Sequence, residues 1–263
     1  MNRRRLILSG SLITVTAIFF TGCQKVLDYI RFTTDGKAEL KICAIQNVTV
    51  RNTDDKSADV STVHYSFYYN ICGNPDSVIN DEVATGNPNL VFKYDKHNRL
   101  IQFLRPYTNG SYETLDKYGY NNKNHIVYDT LYLFGLIVNN VPQTNDWPQV
   151  SYTSYVYDLQ DRVVGQTDSI FVSGKFIVAN QKTYTYDSKG NLILSGVVYD
   201  NKLNIKRTNA IWMFITKDYS VNNPFKANFY NSWGLPLDLP SASGALGVIA
   251  PQSGPAEIAY SCR

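Results

Sequence analysis

The familiar signatures of catalysis are missing from this sequence. It has no GxSxG elbow, no HExxH, no GxGxxG and no Walker-type loop. That removes the usual marks of serine hydrolases, zinc proteases and enzymes of dinucleotides or nucleoside triphosphates. The four cysteines include no CxxC spacing, so a thiolate-held metal has no basis. No catalytic residue, cofactor or metal is therefore expected. Methionine occurs only twice and long apolar stripes of helical period are absent, which argues against a helical bundle. An excess of one charge is missing too. Three of the 25 Lys and Arg fall in the first five residues, and the others match the 22 Asp and Glu in number. A neutral body excludes nucleic acid, which needs many phosphate-neutralising cations, and gives no reason for electrostatic docking on anionic lipid.

What is present begins at the N terminus. Arg3, Arg4 and Arg5 precede an apolar run from Leu6 to Phe20, broken by Ser9, Gly10, Ser11, Thr14 and Thr16. A basic start and a short apolar core read as a secretory signal, because the run falls short of the roughly 20 residues of a spanning helix. Phe20-Thr21-Gly22-Cys23 resembles the lipobox cut by bacterial lipoprotein signal peptidase. The resemblance implies that residues 1–22 are removed, that Cys23 carries lipid, and that 23–38 is a tether to the membrane. No Asp follows Cys23, so the retention signal of enteric inner membranes is missing and the outer membrane is expected, on either face. Cys43, Cys72 and Cys262 remain in a compartment where disulfides persist. Cys43 with Cys262 is the favoured pair, and Cys43 with Cys72 its rival.

The body is rich in Tyr, with 20 residues, and in turn-forming Asn and Gly, a strand-and-turn composition. Six segments share one pattern: Tyr69-NICGNP-75, Tyr94-DKHNRL-100, Tyr120-NNKNHI-126, Tyr157-DLQDRV-163, Tyr186-DSKGNL-192 and, more loosely, Tyr219-SVNNPF-225. Counted from the Tyr, position two is Asp or Asn in five of them. Position five is Gly73, Asn98, Asn124, Asp161, Gly190 or Asn223, the residue types that best tolerate the left-handed conformation. A type I turn with a G1 bulge explains both choices. Positions one and seven then pair across a hairpin, as do two and six, so Asp95 faces Arg99 and Asp158 faces Arg162. An aromatic two residues before the Tyr shares its strand face, supplied by Phe67, Phe92, Tyr118, Tyr155 and Tyr184; the sixth copy has Lys217 there. Asn109-Gly110, Ser173-Gly174 and Asp200-Asn201 are further turn signals. Connections from about 62 to 215 can all be local, which makes a long antiparallel meander, all-β, in one main domain over 39–231. So long a sheet must curl or partly close into a barrel. Residues 135–150 read as a long loop, and 232–263 as an irregular Pro, Gly and Ser-rich segment with a final strand near Glu257–Cys262.

The units resemble the YD repeats of Rhs-type wall-associated proteins, on Tyr94-Asp95…Arg99-Leu100, Tyr157-Asp158…Arg162-Val163 and Tyr186-Asp187…Gly190-Asn191-Leu192. With the lipobox, the chain resembles uncharacterised YD-repeat-like lipoproteins of Bacteroidetes-type bacteria. That resemblance implies hairpins and an envelope location, not an activity.

Few residues stand out as sites. His97 and His125 fall in neighbouring turns, where solvation is the plain expectation and a shared metal the alternative. Asp76-Ser77-Val78, Asp129-Thr130-Leu131 and Asp168-Ser169-Ile170 resemble the O-glycosylation acceptor of Bacteroidetes-type envelopes, against the plainer passage from polar loop to strand. Trp147, Trp212 and Trp233 lie outside the repeat, and Trp147, on the 135–150 loop, is the candidate ligand contact, since Trp and Tyr faces stack on sugars. The expectation is a non-catalytic envelope lipoprotein that binds a glycan or a protein, with an assembly role and an unrecognised hydrolase as the alternatives.

Overall fold

The computed structural model describes residues 30–32, 38–40, 43–52, 61–144 and 150–262. Cys23 and Trp147, expected to carry lipid and to touch ligand, lie outside them. β1 (Ile30–Phe32), in the stretch read as a tether, pairs with β2 (Ala38–Leu40) at its end as a separate ribbon. β3 (Cys43–Asn52), β4 (Ser61–Tyr69), β5 (Pro75–Asn80), β6 (Leu90–Tyr94), β7 (Leu100–Pro106), β8 (Ser111–Tyr120) and β9 (Ile126–Val138) then follow one another antiparallel. β10 (Val141–Pro142) folds back on β9, and β11 (Val150–Tyr157), β12 (Val163–Val172) and β13 (Lys175–Thr183) extend the same sheet beyond β9. The chain next leaves the sheet for α1 (Ala210–Thr216), returns briefly as β14 (Asp238–Leu239), forms α2 (Ala242–Leu246), and ends in β15 (Ala256–Cys262), which lies between β14 and β3. The 13-stranded sheet has β13 at one edge and β14 at the other. It is open, so the partly closed barrel does not occur. The Cys43–Cys262 disulfide ties β3 to β15, and Cys72 takes no part in it.

Five of the six repeats form the same turn. Gly73, Asn98, Asn124, Asp161 and Gly190 all have positive φ. Tyr69 pairs with Pro75, Tyr94 with Leu100, Tyr120 with Ile126, Tyr157 with Val163 and Tyr186 with Leu192. The position-two side chain holds each turn: Asp158 Oδ1 accepts the N–H groups of Gln160 and Arg162, and Asp95, Asn121, Asp187 and Asn70 do likewise. Such local side-chain bonds are why Asx residues suit turns.

The repeat tyrosine reaches back to the preceding hairpin. The β7–β8 ladder stops at Gln102 and Lys117, so the Leu100 carbonyl has no strand partner, and the Tyr120 hydroxyl donates to it at 2.8 Å. Tyr94 donates to Pro75, Tyr157 to Ile126, Tyr186 to Val163 and Tyr199 to Leu192 in the same way. Each acceptor is the seventh residue of the preceding turn. A buried carbonyl must find a donor, and the tyrosine supplies it without a strand.

The aromatics two residues earlier seat α1. Trp212, fully buried, meets the edges of Phe67 and Phe92 with ring centroids 5.8 and 5.6 Å apart, while Phe214 meets Tyr118 and Tyr155. Ile205, Leu246 and Ile249 complete this core. Asn209 caps α1 by accepting from the Ile211 N–H.

Several expectations are corrected. The sixth repeat is not a hairpin: Asn223 is buried and accepts the Ile205 N–H while donating to Asp200. The meander ends at Thr183, and residues 197–199, expected to lead into a turn at Asp200-Asn201, are not strand. A seventh copy of the turn, missed in the sequence, is Tyr230-NSWGLP-236, in the segment read as irregular. Tyr230 pairs with Pro236, Gly234 has φ 80°, and Asn231 accepts the Trp233 and Leu235 N–H groups. Asn109-Gly110 is this bulged turn as well, since Pro106 pairs with Tyr112. In the stretch expected as a 135–150 loop, 135–138 belong to β9 and 141–142 form β10, because Asn139 and Asn140 both take positive φ and turn β9 directly into β10.

Candidate functional site

Beyond α1 the sheet continues through β8–β13, and its two faces differ in chemistry. Directly paired residues share a face, as do residues two apart on a strand. On the α1 side, a polar row runs Tyr118, Asp129, Thr153, Asp168 and Asn180 from β8 to β13. Tyr155 donates its hydroxyl to Asp129. Asp168 accepts from Thr153 at 3.2 Å and from Gln166 at 2.7 Å. Asp116, two residues before Tyr118, stands 3.8 Å from Arg105 Nη2, an ion pair too long for a hydrogen bond. Lys217, the left-handed C-cap of α1, joins the row and donates to the Phe214 carbonyl at 2.8 Å.

Burial dominates the electrostatics here. It pushes the Asp116 carboxyl up to about 7 against the pull of Arg105. It raises Asp129 despite the Tyr155 hydrogen bond, and lowers the Lys217 ammonium to about 8 against the attraction of Asp129 and Asp116. Desolvation disfavours charge of either sign, so acid and base converge toward neutrality. Groups tuned this way can exchange protons near pH 7, the requirement of general acid–base chemistry.

The opposite face is aromatic and nearly uncharged. One row reads Gly119, Tyr128, Ser154, Thr167 and Gln181, and the next Lys117, Thr130, Tyr152, Ser169 and Val178. Tyr128 and Tyr152 lie 5.5 Å apart at 24°, Tyr152 and Phe176 6.0 Å apart, and Phe176 and Phe171 5.2 Å apart. Tyr128 rests on Gly119: a Cβ there would stand 2.1 Å from the ring. Tyr128 is 40% exposed, Phe176 48% and Val178 62%. Toward β7 the same face is closed by a cluster of Leu104, Tyr112 and Leu115 with Val91, Tyr132 and Ile137. At the opposite edge, β13 is exposed along its whole length.

The residues singled out in the sequence are scattered. Trp212 is core, and Trp233 is half-buried in the seventh turn. His125 stacks on Tyr157 at 4.4 Å with its Nε2 2.9 Å from Asp161, while His97 is exposed. Among the described residues no group of three or more His, Cys, Asp and Glu could hold a metal. The three acceptor-like triplets lie inside strands β5, β9 and β12, and the carboxylates of Asp129 and Asp168 belong to the polar row. Tyr128, Tyr152 and Phe176 carry no repeat signal, because they stand outside the repeats, whose tyrosines lie near the turn ends of their strands. The alternation Tyr128-x-Thr130-x-Tyr132 marked the other face. Lys217 stands where the other copies have an aromatic, and that departure from the pattern was its signal in the sequence.

No protein-family model matches the chain, and no curated protein matches it. Among solved structures it is similar to a protein of unknown function from Bacteroides fragilis, at 11% identity over 53% of this chain and 92% of that one, with a TM-score of 0.19. A likeness of that size carries no argument, and the site rests on its own geometry.

Proposed function

We propose that this is a cell-envelope lipoprotein, held on the outer membrane by lipid on Cys23, that acts as a non-catalytic binding module through the helix-free face of β8–β13. One observation carries the proposal: a contiguous strip of partly exposed aromatic rings, Tyr128, Tyr152, Phe176 and Phe171, on a face with no covering element among the described residues. Exposed apolar patches of this kind mark binding sites. The repeat tyrosines are not that surface, because their hydroxyls are bound to backbone carbonyls.

Hydroxyl-radical footprinting tests the proposal, comparing intact cells with the purified chain. Tyr128, Tyr152 and Phe176 are expected to be oxidised several-fold less in cells, while exposed Leu159 changes little. Equal oxidation in both would overturn it. Cys23→Ala is expected to release the protein from the membrane fraction.

A hydrolytic reading is favoured by one observation: Asp116 and Asp129 lie near one another on the α1 face of the sheet, within electrostatic reach of Lys217. It predicts turnover of an ester or glycoside panel that Asp116→Asn abolishes; no turnover across the panel removes it.

A further inference from the structure

The helix-free face has a composition that selects among occupants. Its rings are separated by hydroxyl and amide groups: Ser154 pairs with Tyr128, while Thr130 and Ser169 flank Tyr152. Gln181 Nε2 reaches Thr167 Oγ1 at 3.5 Å on the same face. In the two rows the single charge is Lys117, and its ammonium stands over the Tyr132 ring at 5.1 Å. No carboxylate belongs to either row.

The attitude of the Tyr128 ring matters as much. A side chain at position 119 would hold the ring off the sheet. Glycine lets it lie down on the backbone, with carbons of the ring 2.1 and 2.3 Å from where a Cβ would be. The ring sits over the Gly119 backbone and is still 40% exposed in mid-sheet. Tyr152 stacks beside it at 24°. The stacked pair offers aromatic surface to solvent through Tyr128.

We infer that this face is a stacking platform for a neutral glycan; the inference rests on the binding proposal above and names its occupant. A pyranose presents weakly positive C–H groups on one flat side, which match the negative face of an aromatic ring. Its hydroxyls point outward around the rim, where Ser154, Thr130 and Thr167 can donate and accept. A protein partner of comparable size would bring charged side chains that these two rows cannot pair. An anionic polysaccharide would find one cation, already held over a ring.

Affinity electrophoresis of the full chain in detergent tests this, with hydroxyethyl cellulose, dextran and yeast mannan as neutral probes and polygalacturonate as the anionic one. Retardation by at least one neutral polymer and weaker retardation by polygalacturonate are expected. Tyr128→Ala and Tyr152→Ala should each weaken it tenfold or more. Gln181→Ala, an exposed edge position that leaves the fold intact, should weaken it two- to five-fold. An unchanged melting temperature separates lost binding from lost fold. No retardation by any neutral polymer, a preference for polygalacturonate, or equal retardation of all variants would each overturn the inference. If the aromatic strip is protected in cells while no neutral polymer binds, the binding proposal stands and the glycan is wrong; if it is unprotected as well, both fall.

Discussion

Asp158 holds the fourth repeat turn by two separable means, and substitution can weigh them. Its Oδ1 accepts the N–H of Gln160 at 2.9 Å and of Arg162 at 3.0 Å, and its Oδ2 accepts Arg162 Nε at 2.8 Å. Asp158→Ala removes both. Hydrogen bonds to a charged acceptor contribute about 1.5–3 kcal/mol each when buried, but this turn is partly open and its freed N–H groups can rehydrate, so the total is about 2–3 kcal/mol. Asp158→Asn keeps an oxygen for the two amides and loses only the ion pair, about 0.5–1 kcal/mol at a partly exposed site. At roughly 2–4 °C per kcal/mol for a chain of this size, alanine should lower Tm by about 4–12 °C and asparagine by about 1–4 °C. Acid provides a second axis. Burial pushes the Asp158 carboxyl up, but the Arg162 amide and guanidinium outweigh it and hold it below the usual range. The resulting stability is present above the unfolded carboxyl value of about 3.9 and is lost as pH falls through the folded one. The gap between wild type and Asp158→Asn should therefore close between pH 5 and pH 2. Thermal and urea unfolding of the three proteins across that range measures all of this. Equal losses for alanine and asparagine would refute the reasoning, because the turn amides would then contribute nothing.

The remaining predictions concern other parts of the fold. Lys206 and Asp218 form a buried pair at 2.9 Å, so Asp218→Asn should cost about 3–5 kcal/mol by stranding a buried ammonium; urea unfolding checks it, and Lys206→Met in the same chain should recover most of the loss. Asp116 has a raised folded pKa, so the native state binds the extra proton and wild-type stability should fall as pH rises from about 4 to 7; Asp116→Asn should flatten that slope in unfolding measured across the window. Tyr120→Phe leaves the Leu100 carbonyl without its donor and should cost about 1 kcal/mol in urea unfolding. Reduction of Cys43–Cys262, which closes a very long loop, should cost about 2–5 kcal/mol in denaturant unfolding with and without reductant.

The hairpins were legible because the turn imposes its own chemistry. A left-handed position five admits few residues, and an Asx at position two is needed to hold the amides, so the code shows in Asp95, Asn98, Asp158 and Asp161 without any tertiary knowledge. The seat of α1 was half legible: the aromatic row at Phe67, Phe92, Tyr118 and Tyr155 was visible, but not what it packed against. Ala210–Thr216 is too short for an amphipathic period to declare itself. The failed sixth repeat shows the limit of local pattern. Asn223 has a tolerant residue type, yet tertiary packing uses its side chain to cap Ile205 and bind Asp200. The helix-free face was hidden for another reason. Gly119 beneath Tyr128 is a cross-strand relation, fixed by the register of β8 and β9 and not by neighbours in sequence.

β3 and β15 lie side by side in the interior of the sheet, joined at Cys43 and Cys262. In mechanical terms, tension entering from the N-terminal side meets a covalent staple at the first residue of β3. The strand cannot be unzipped from β15 one rung at a time, and its ladder with β4 begins only at Asn47. The load is divided over two strands before it reaches any hairpin. A chain tethered at its start and gripped across β11–β13 would carry force through the breadth of the sheet, from the stapled strands to the edge strand β13 at the far end.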